Sequence, residues 1–383
     1  MDYAKESLKM HYDLKGKIEV VSRAKVDSKD ALSLAYTPGV AQPCLEIQKD
    51  VNKSYDLTRR WNTVAVVTDG TAVLGLGDIG PEAGMPVMEG KAVLFKELGG
   101  INAVPICLDT QDTEEIIETV VRIAPAFGGI NLEDIAAPRC FEIEERLDKM
   151  LDIPVFHDDQ HGTAIVVLAG IINALKVVGK QKEDCKVVFN GAGSAGIAIA
   201  KMLLSYGFKD LTLCDRQGIL CSGDPSFHWM QEKMTQITNL SHKTGTLADA
   251  MKGADIFVGV SAPGIISQDM VRSMAKDSIL FTMANPDPEI LPHLAKEAGA
   301  KVVGTGRSDF PNQVNNVLVF PGIFKGALEG HSTHITSEMK LAAAHAIAGL
   351  VPAEELSDTN ILPHAFDPQI ADVVSAAVKE YID

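Results

Sequence analysis

KVVFNGAGSAG, residues 186–196, followed at a distance by the acid Asp215, is the stretch that decides the fold. The apolar run 186–190 reads as a strand. It passes directly into Gly191-Ala-Gly193-Ser194-Ala195-Gly196, and 195–206 then reads as a helix. A second apolar run, 211–215, ends on Asp215, 24 residues after Gly191. Strand, glycine turn, helix and terminal acid together make a dinucleotide-binding βαβ unit. Gly191 permits the tight turn, Gly193 lets the backbone approach a pyrophosphate, and Gly196 lets helix and strand pack closely. Ser194 and Ala195 belong to the same cofactor-binding turn, where the helix N-terminus attracts phosphate. Asp215 would accept from a ribose 2′-OH, which favours NAD. Arg216 beside it would suit a 2′-phosphate and leaves NADP open.

Outward from this unit the same alternation continues. Strands are expected at 256–260, 279–283 and 301–304, with a helical, alanine-rich tail from Ile335. Towards the N-terminus, strands are expected at 63–68, 72–76, 103–108, 129–132 and 153–156. Helices are expected at 88–98, 113–124 and 140–150, and a long apolar helix from Gly162. Strands alternating with helices of this size imply parallel sheets, hence an α/β protein. Two domains are expected, 1–150 carrying substrate and metal and 151–383 binding NAD(P). The first 60 residues read as helical and loop-rich.

The chain has 383 residues, with 35 Lys+Arg against 51 Asp+Glu, a net charge of −16. That field disfavours nucleic acid and anionic membranes as partners. With 46% hydrophobic residues the chain can bury large cores. No run is expected to approach a membrane span of roughly 18 apolar residues. The stretch 1–17 shows no apolar h-region, so no secretion signal is expected. Cysteines 44, 107, 140, 185, 214 and 221 form no C-x-x-C pair and read as reduced thiols, so a cytoplasmic protein is expected.

A second glycine match, Gly75-Leu-Gly77-Asp-Ile-Gly80, is followed by GPEAGMP. No helix is expected to open there, and its glycines read as allowing close backbone packing. Two acidic doublets matter more. Glu133-Asp134 follows one short strand and Asp158-Asp159 follows another. Groups just past the C-termini of parallel strands converge on one crevice. Carboxylates crowded there repel one another unless a cation sits among them, and all-oxygen ligation suits Mg²⁺ or Mn²⁺. Each doublet would equally serve as a helix cap. HDDQH, 157–161, has the i, i+4 histidines of a zinc hydrolase, but Asp158 stands where such a motif has Glu. The segment also reads as a turn, so polar turn contacts are expected of His157 and His161. Tyr36, in a Pro-Gly turn, reads as packing, and Lys91 as a solvated lysine that works as a base only where its pKa is lowered. Asn285, Asn315 and Asn316 border apolar segments near prolines and read as turn residues.

Taken together the blocks YTPGV (36–40), VLGLGDIG (73–80), EGKAVLF (89–95), LED (132–134), FHDDQHGTA (156–164), GAGSAG (191–196), ANP (284–286) and NNVLVFPG (315–322) resemble malic enzymes, and look most like the short-subunit bacterial branch. The resemblance implies that Glu133, Asp134 and Asp159 bind Mg²⁺ or Mn²⁺, that Lys91 is the base with Asp158 beside it, and that Tyr36 is the general acid. It implies that Asn285 and one or both of Asn315 and Asn316 hold the substrate carboxylate, with Asn285 also in the cofactor site. Larger members carry an arginine just before the LGLGD block. This chain has Ala72 there, which implies that another cation grips the carboxylate or that its binding is weaker.

The reaction implied is oxidative decarboxylation of L-malate to pyruvate and CO₂ with reduction of NAD(P). Malolactic chemistry, a metal-independent dehydrogenase and a nucleotide-sensing regulator are the competing readings. A homodimer is expected, with Tyr36 supplied across the interface because it lies far in sequence from the other groups.

Overall fold

In a computed structural model of the protein, residues 2–73 and 75–382 are described. Leu74, inside the expected strand 72–76, lies outside the described residues, as do Met1 and Asp383. Two mainly parallel sheets organise the chain. The first contains β1 (Thr63–Thr68), β2 (Asn102–Cys107), β3 (Gly129–Leu132) and β4 (Val155–His157), in the order β2-β1-β3-β4. The second contains β5 (Lys186–Asn190), β6 (Asp210–Asp215), β7 (Gly218–Ile219), β8 (Ile256–Gly259), β9 (Ile279–Thr282) and β10 (Val302–Thr305). Its order is β10-β9-β8-β5-β6-β7, with only β7 antiparallel.

Each order contains a reversal. In the first sheet β2 lies on one side of β1 and β3 on the other. In the second, β6 and β8 flank β5. A crevice opens at the C-terminal ends of the strands at such a switch point. Glu133 follows β3 and Asp158 follows β4, so the acidic doublets emerge beside one switch point. Gly191 follows β5 and emerges at the other.

β4 lies past the expected division at 150/151, yet it pairs with β3 through Ile130–Val155, Asn131–Phe156 and Leu132–His157. From it runs the helix Asp158–Val178, which packs along the helix Ser194–Tyr206 of the second sheet. This 21-residue helix is long and apolar enough to cross a bilayer, contrary to the expectation that no such run exists. Here residues 164–175 are all buried, so it serves as the central core element. The chain then returns. The helix Phe320–Glu329 packs against Pro81–Gly99, with Phe95 meeting Phe320 at 4.6 Å and Phe324 at 5.4 Å between ring centroids, while Phe324 also meets Phe156. These rings form a rigid apolar floor directly behind the first crevice.

Four expectations fail for local reasons. Among the described residues of 72–76 no strand forms. Val73 bridges back to Gly77, and Gly75 and Gly77 take φ of +76° and +77°, which turn the chain. A helix does open after the second glycine match, because Pro81 occupies the first helical position, where its missing N–H costs nothing. Gly77 and Gly80 have no neighbour within 4 Å of a would-be Cβ, so they serve positive φ rather than close packing. Close packing belongs to Gly70, whose Cβ would lie 2.2 Å from the Gly80 oxygen. The long helix begins at Asp158, not Gly162, so His161 sits in its first turn rather than before it. Acidic residues in a first turn favour the helix dipole, which explains the early start.

Candidate functional site

Lys91 projects from the middle of the helix Pro81–Gly99 and is 7% exposed. Its Nζ lies 2.6 Å from Asp158 Oδ2 and 2.9 Å from Glu133 Oε1, and 4.4 Å from the centre of the Phe320 ring. It is therefore not the solvated lysine of the bare sequence reading. Burial alone would lower the Lys91 pKa, but the charges of Asp158, Glu133 and Asp159 outweigh it and hold the ammonium above its usual range. Asn316 donates to the same Asp158 oxygen at 2.5 Å. Gly162 makes room for this, since a Cβ there would lie 1.9 Å from Asp158 Oδ1.

Glu133, Asp134 and Asp159 each present a carboxylate oxygen, all within 4.8 Å of one another. The capping alternative fails for Asp158 and Asp159. Asp158 is taken by Lys91 and Asn316, and Asp159 Oδ2 accepts from the Asp134 backbone N–H at 2.8 Å. Asp134 holds a φ of +54°, a left-handed conformation that carries its carboxylate into the cluster. Its Oδ2 is buried without a hydrogen-bond partner. Asn131, two residues earlier on β3, steadies Glu133 through a 2.8 Å hydrogen bond.

Burial and mutual repulsion push these acids up: Asp134 to about 9, Glu133 to about 7 and Asp159 to about 6. Asp158 rises to about 7, chiefly through burial. Two buried carboxylates and the half-buried Asp159, with raised pKa values, fit a hard divalent cation, which would relieve both penalties.

A stability prediction follows. Folded-state pKa values raised above the unfolded ones mean that the folded protein binds more protons than the unfolded chain between roughly pH 4 and those values. Without a divalent ion, stability is therefore expected to fall as pH rises from about 4, the fall ending only above the highest folded value, about 9. The gain in Tm on adding Mn²⁺ should widen over the same interval. Calorimetry of chelated and Mn²⁺-loaded protein across that range checks this, and a pH-independent gain would contradict it.

At the second switch point, Gly191 has φ +114°, and a Cβ there would lie 2.6 Å from the Val260 oxygen. A Cβ on Gly196 would lie 1.8 Å from the Gly191 oxygen, so its role is close packing. Gly193 has open space around it, at the start of the helix Ser194–Tyr206 whose first residues are Ser194 and Ala195. That is a cradle a phosphate can enter. Asp215 ends β6 and accepts from the Gln217 N–H, and Arg216 is exposed beside it. The backbone carbonyl oxygen of Asn285 lies 3.8 Å from a Cβ built on Gly75, and its side-chain Nδ2 donates to the Met283 carbonyl at 3.4 Å. Asn315 spends its side chain capping Val317 N–H, leaving Asn316 as the member of that pair that reaches the cluster.

Tyr36 stands apart. It is 67% exposed, and its hydroxyl has no hydrogen-bond partner among the described residues. None of residues 2–50 is buried.

Two groups escaped the sequence reading. Arg139 donates to Asp69 Oδ2 at 2.6 Å and to Thr71 Oγ1 at 3.1 Å, which places a cation next to Ala72. Glu144 accepts from the His157 backbone N–H at 2.9 Å and pairs with His161 Nε2 at 2.9 Å. Burial alone would raise its pKa, but His161 outweighs that and brings it down to about 2. Position in sequence gives no sign of either role, because both contacts are made across elements.

These features define a two-domain α/β protein with a dinucleotide-binding half and an acidic, lysine-centred crevice in the other. The family described as malic enzyme, N-terminal domain, matches residues 15–115 and 110–148, and that described as malic enzyme, NAD binding domain, matches 160–382. The chain belongs to the malic enzyme family. It is 57% identical over 379 residues to a bifunctional malic/malolactic enzyme of Bacillus subtilis, covering 99% of this chain and 92% of that one. It is 58% identical to an NAD-dependent malic enzyme of Geobacillus stearothermophilus, covering 95% and 76%. The crystal structure of an NAD-dependent malic enzyme from Thermotoga maritima superposes with a TM-score of 0.94 at 50% identity, covering 97% and 98%.

Proposed function

We propose that the protein oxidises L-malate at C2 and releases the carboxyl group β to the new carbonyl as CO₂, leaving pyruvate and reducing NAD or NADP in the cytoplasm. The single observation that carries this reading is the Lys91–Asp158–Glu133 contact beside three carboxylates able to share one cation. Glu133, Asp134 and Asp159 would hold Mg²⁺ or Mn²⁺, which when bound polarises hydroxyl and carbonyl oxygens and stabilises enolate charge. A dinucleotide on the Gly191–Gly196 turn supplies the hydride acceptor, with Asp215 favouring NAD and Arg216 leaving NADP open.

Lys91 takes the proton of the C2 hydroxyl and later returns one to the same oxygen. For that it must be neutral. Engaging Glu133 and Asp159 with a cation removes two of the three charges that keep it protonated. Asp158 holds Nζ in place through the 2.6 Å contact, and Asn316 holds Asp158. Asn285 and Asn316 orient the substrate carboxylate, with Asn315 shaping the turn between them. Tyr36 protonates the enolpyruvate carbon. Steady-state turnover of L-malate tests the reading. The rate should require Mn²⁺ or Mg²⁺, and a rate indifferent to chelation would return the chain to metal-independent dehydrogenase chemistry.

Malolactic turnover is the second reading, favoured by the name of the Bacillus subtilis relative. It uses the same residues and releases lactate without net reduced cofactor.

We further propose a homodimer in which Tyr36 serves the partner's site. The helices Tyr3–Leu14, Lys29–Ala35 and Ala41–Lys49 bury no residue within the chain, although they carry Leu8, Tyr12, Leu32 and Leu34. Short helices gain most of their stability from packing an apolar face, so a second copy is the occupant this face suits. Mixing a Tyr36→Phe chain with a Lys91→Ala chain should restore activity that neither has alone. Absence of recovery after verified subunit exchange would contradict sharing.

A further inference from the structure

A second cavity, of about 360 Å³, lies between the two halves of the protein, and none of the crevice carboxylates, Lys91 or the Gly191 turn lines it. Its walls come from the helices Arg139–Met150, Ser194–Tyr206, Trp229–Thr235 and Ser337–Gly349, and from the first turn of Asp158–Val178. It is lined by three carboxylates and three lysines, which differ in whether they have partners. The acids are already satisfied: Glu144 by His161, Glu145 by Lys149 at 2.8 Å, and Asp148 by His334 at 3.1 Å. The cations Lys201, Lys233 and Lys340 also line the cavity, and among the described residues none of their ammonium groups has a hydrogen bond or an ion pair.

A fourth donor joins them. Gln160 is 3% exposed and lines the same space, and its Nε2 is buried without a partner. A buried amide N–H left unpaired costs free energy unless something accepts from it. Burial holds the Lys340 ammonium below its usual range against the opposing charges of Glu144 and Asp148, and burial followed by the charge of Lys233 does the same to Lys201 against those of Glu145 and Glu144. Lys201 feels the charges of both Lys233 and Lys340, and three ammonium groups without a hydrogen bond among the described residues, beside an unpaired amide donor, call for an acceptor-rich, multiply charged ligand.

We propose that this cavity binds a small multivalent oxyanion, of phosphate or polycarboxylate chemistry, held by Lys201, Lys233, Lys340 and Gln160. The site also bears on the crevice. Gln160 and His161 directly follow Asp158 and Asp159, and Glu144, on the cavity wall, holds both His161 and the His157 backbone N–H. An anion pulling on Gln160 and the lysines therefore shifts the turn that carries Asp158 and Asp159. This coupling rests on the reading of Asp159 as a metal ligand; the anion site itself does not.

Calorimetric titration of metal-free protein saturated with NADH, using inorganic phosphate and separately tricarballylate, tests the site, since NADH fills the pyrophosphate cradle. Saturable binding of at least one probe is expected, and the tighter probe identifies the head group. Lys233→Ala and Lys340→Gln should each weaken it by roughly tenfold or more, as for loss of one charge-assisted hydrogen bond. Lys233 is exposed, so its variant keeps the fold even where the Lys340 variant does not. No saturable binding of either probe, or binding undiminished by Lys233→Ala, overturns the proposal. Titration of Mn²⁺ with and without the bound probe then reads the coupling. A changed Mn²⁺ affinity in the wild type that is lost in Lys233→Ala supports it, and an unchanged affinity overturns the coupling.

Discussion

Lys91→Ala is expected to lower kcat at saturating Mn²⁺ by roughly a thousandfold, within the range of lost general acid–base catalysis. The lysine is buried, its Nζ lies 2.6 Å from one carboxylate and 2.9 Å from another, and the Phe320 ring closes it from behind. No other lysine or histidine contacts Glu133 or Asp158 among the described residues. The variant should also be less stable than the wild type when chelated, because Asp158 and Glu133 lose the charge that offsets their repulsion. Mn²⁺ should narrow that gap. A variant with kcat within a few-fold of the wild type would remove Lys91 from the chemistry, whatever its effect on stability.

Asp159→Asn should produce an inversion. With Mn²⁺ present the variant is expected to be the weaker protein, with metal affinity down by more than about a hundredfold and activity falling with it. Without metal it is expected to be at least as stable as the wild type. Asp159 is among the charges that push Asp134 to about 9 and Glu133 to about 7, and asparagine removes that charge. It keeps an oxygen able to accept from the Asp134 N–H. Tm measured on both proteins, chelated and Mn²⁺-loaded, checks this. A chelated variant far less stable than the chelated wild type would mean that Asp159 is a structural group rather than one of three acids awaiting a cation.

The parts of the fold legible in the sequence are those specified by short-range pattern. β1, β3 and β5 fall at 63–68, 129–132 and 186–190 as expected, because buried parallel strands require unbroken β-branched or apolar runs between turn residues. Where apolar character and glycine coincide, as around Gly75 and Gly77, hydrophobicity misleads and positive φ decides. The starts of the helices at Pro81 and Asp158 differ from those expected, whereas the helix opened by Thr113 begins where expected. Pro81 and Asp158 look like breakers in a run of letters, yet both suit a first helical turn.

The crevice was legible for a different reason. Glu133 and Asp158 each sit one step past a parallel strand, and topology brings such positions together. Glu144 and Arg139 act through a backbone N–H and through Asp69, contacts that only the packed elements define. Tyr36 is exposed, and the proposed sharing across a dimer is what would bring it to the reaction.

The most direct test of the account is the product balance from L-malate with Mn²⁺, run with NAD and with NADP in parallel. Reduced nicotinamide, pyruvate and lactate are followed together. Reduced cofactor and pyruvate should appear in equal amounts, and chelation should stop both. Lactate without reduced cofactor would move the chemistry to the malolactic reading. No pyruvate from folded, NAD-binding, Mn²⁺-loaded protein would contradict the assignment of Lys91 and the three carboxylates to malate.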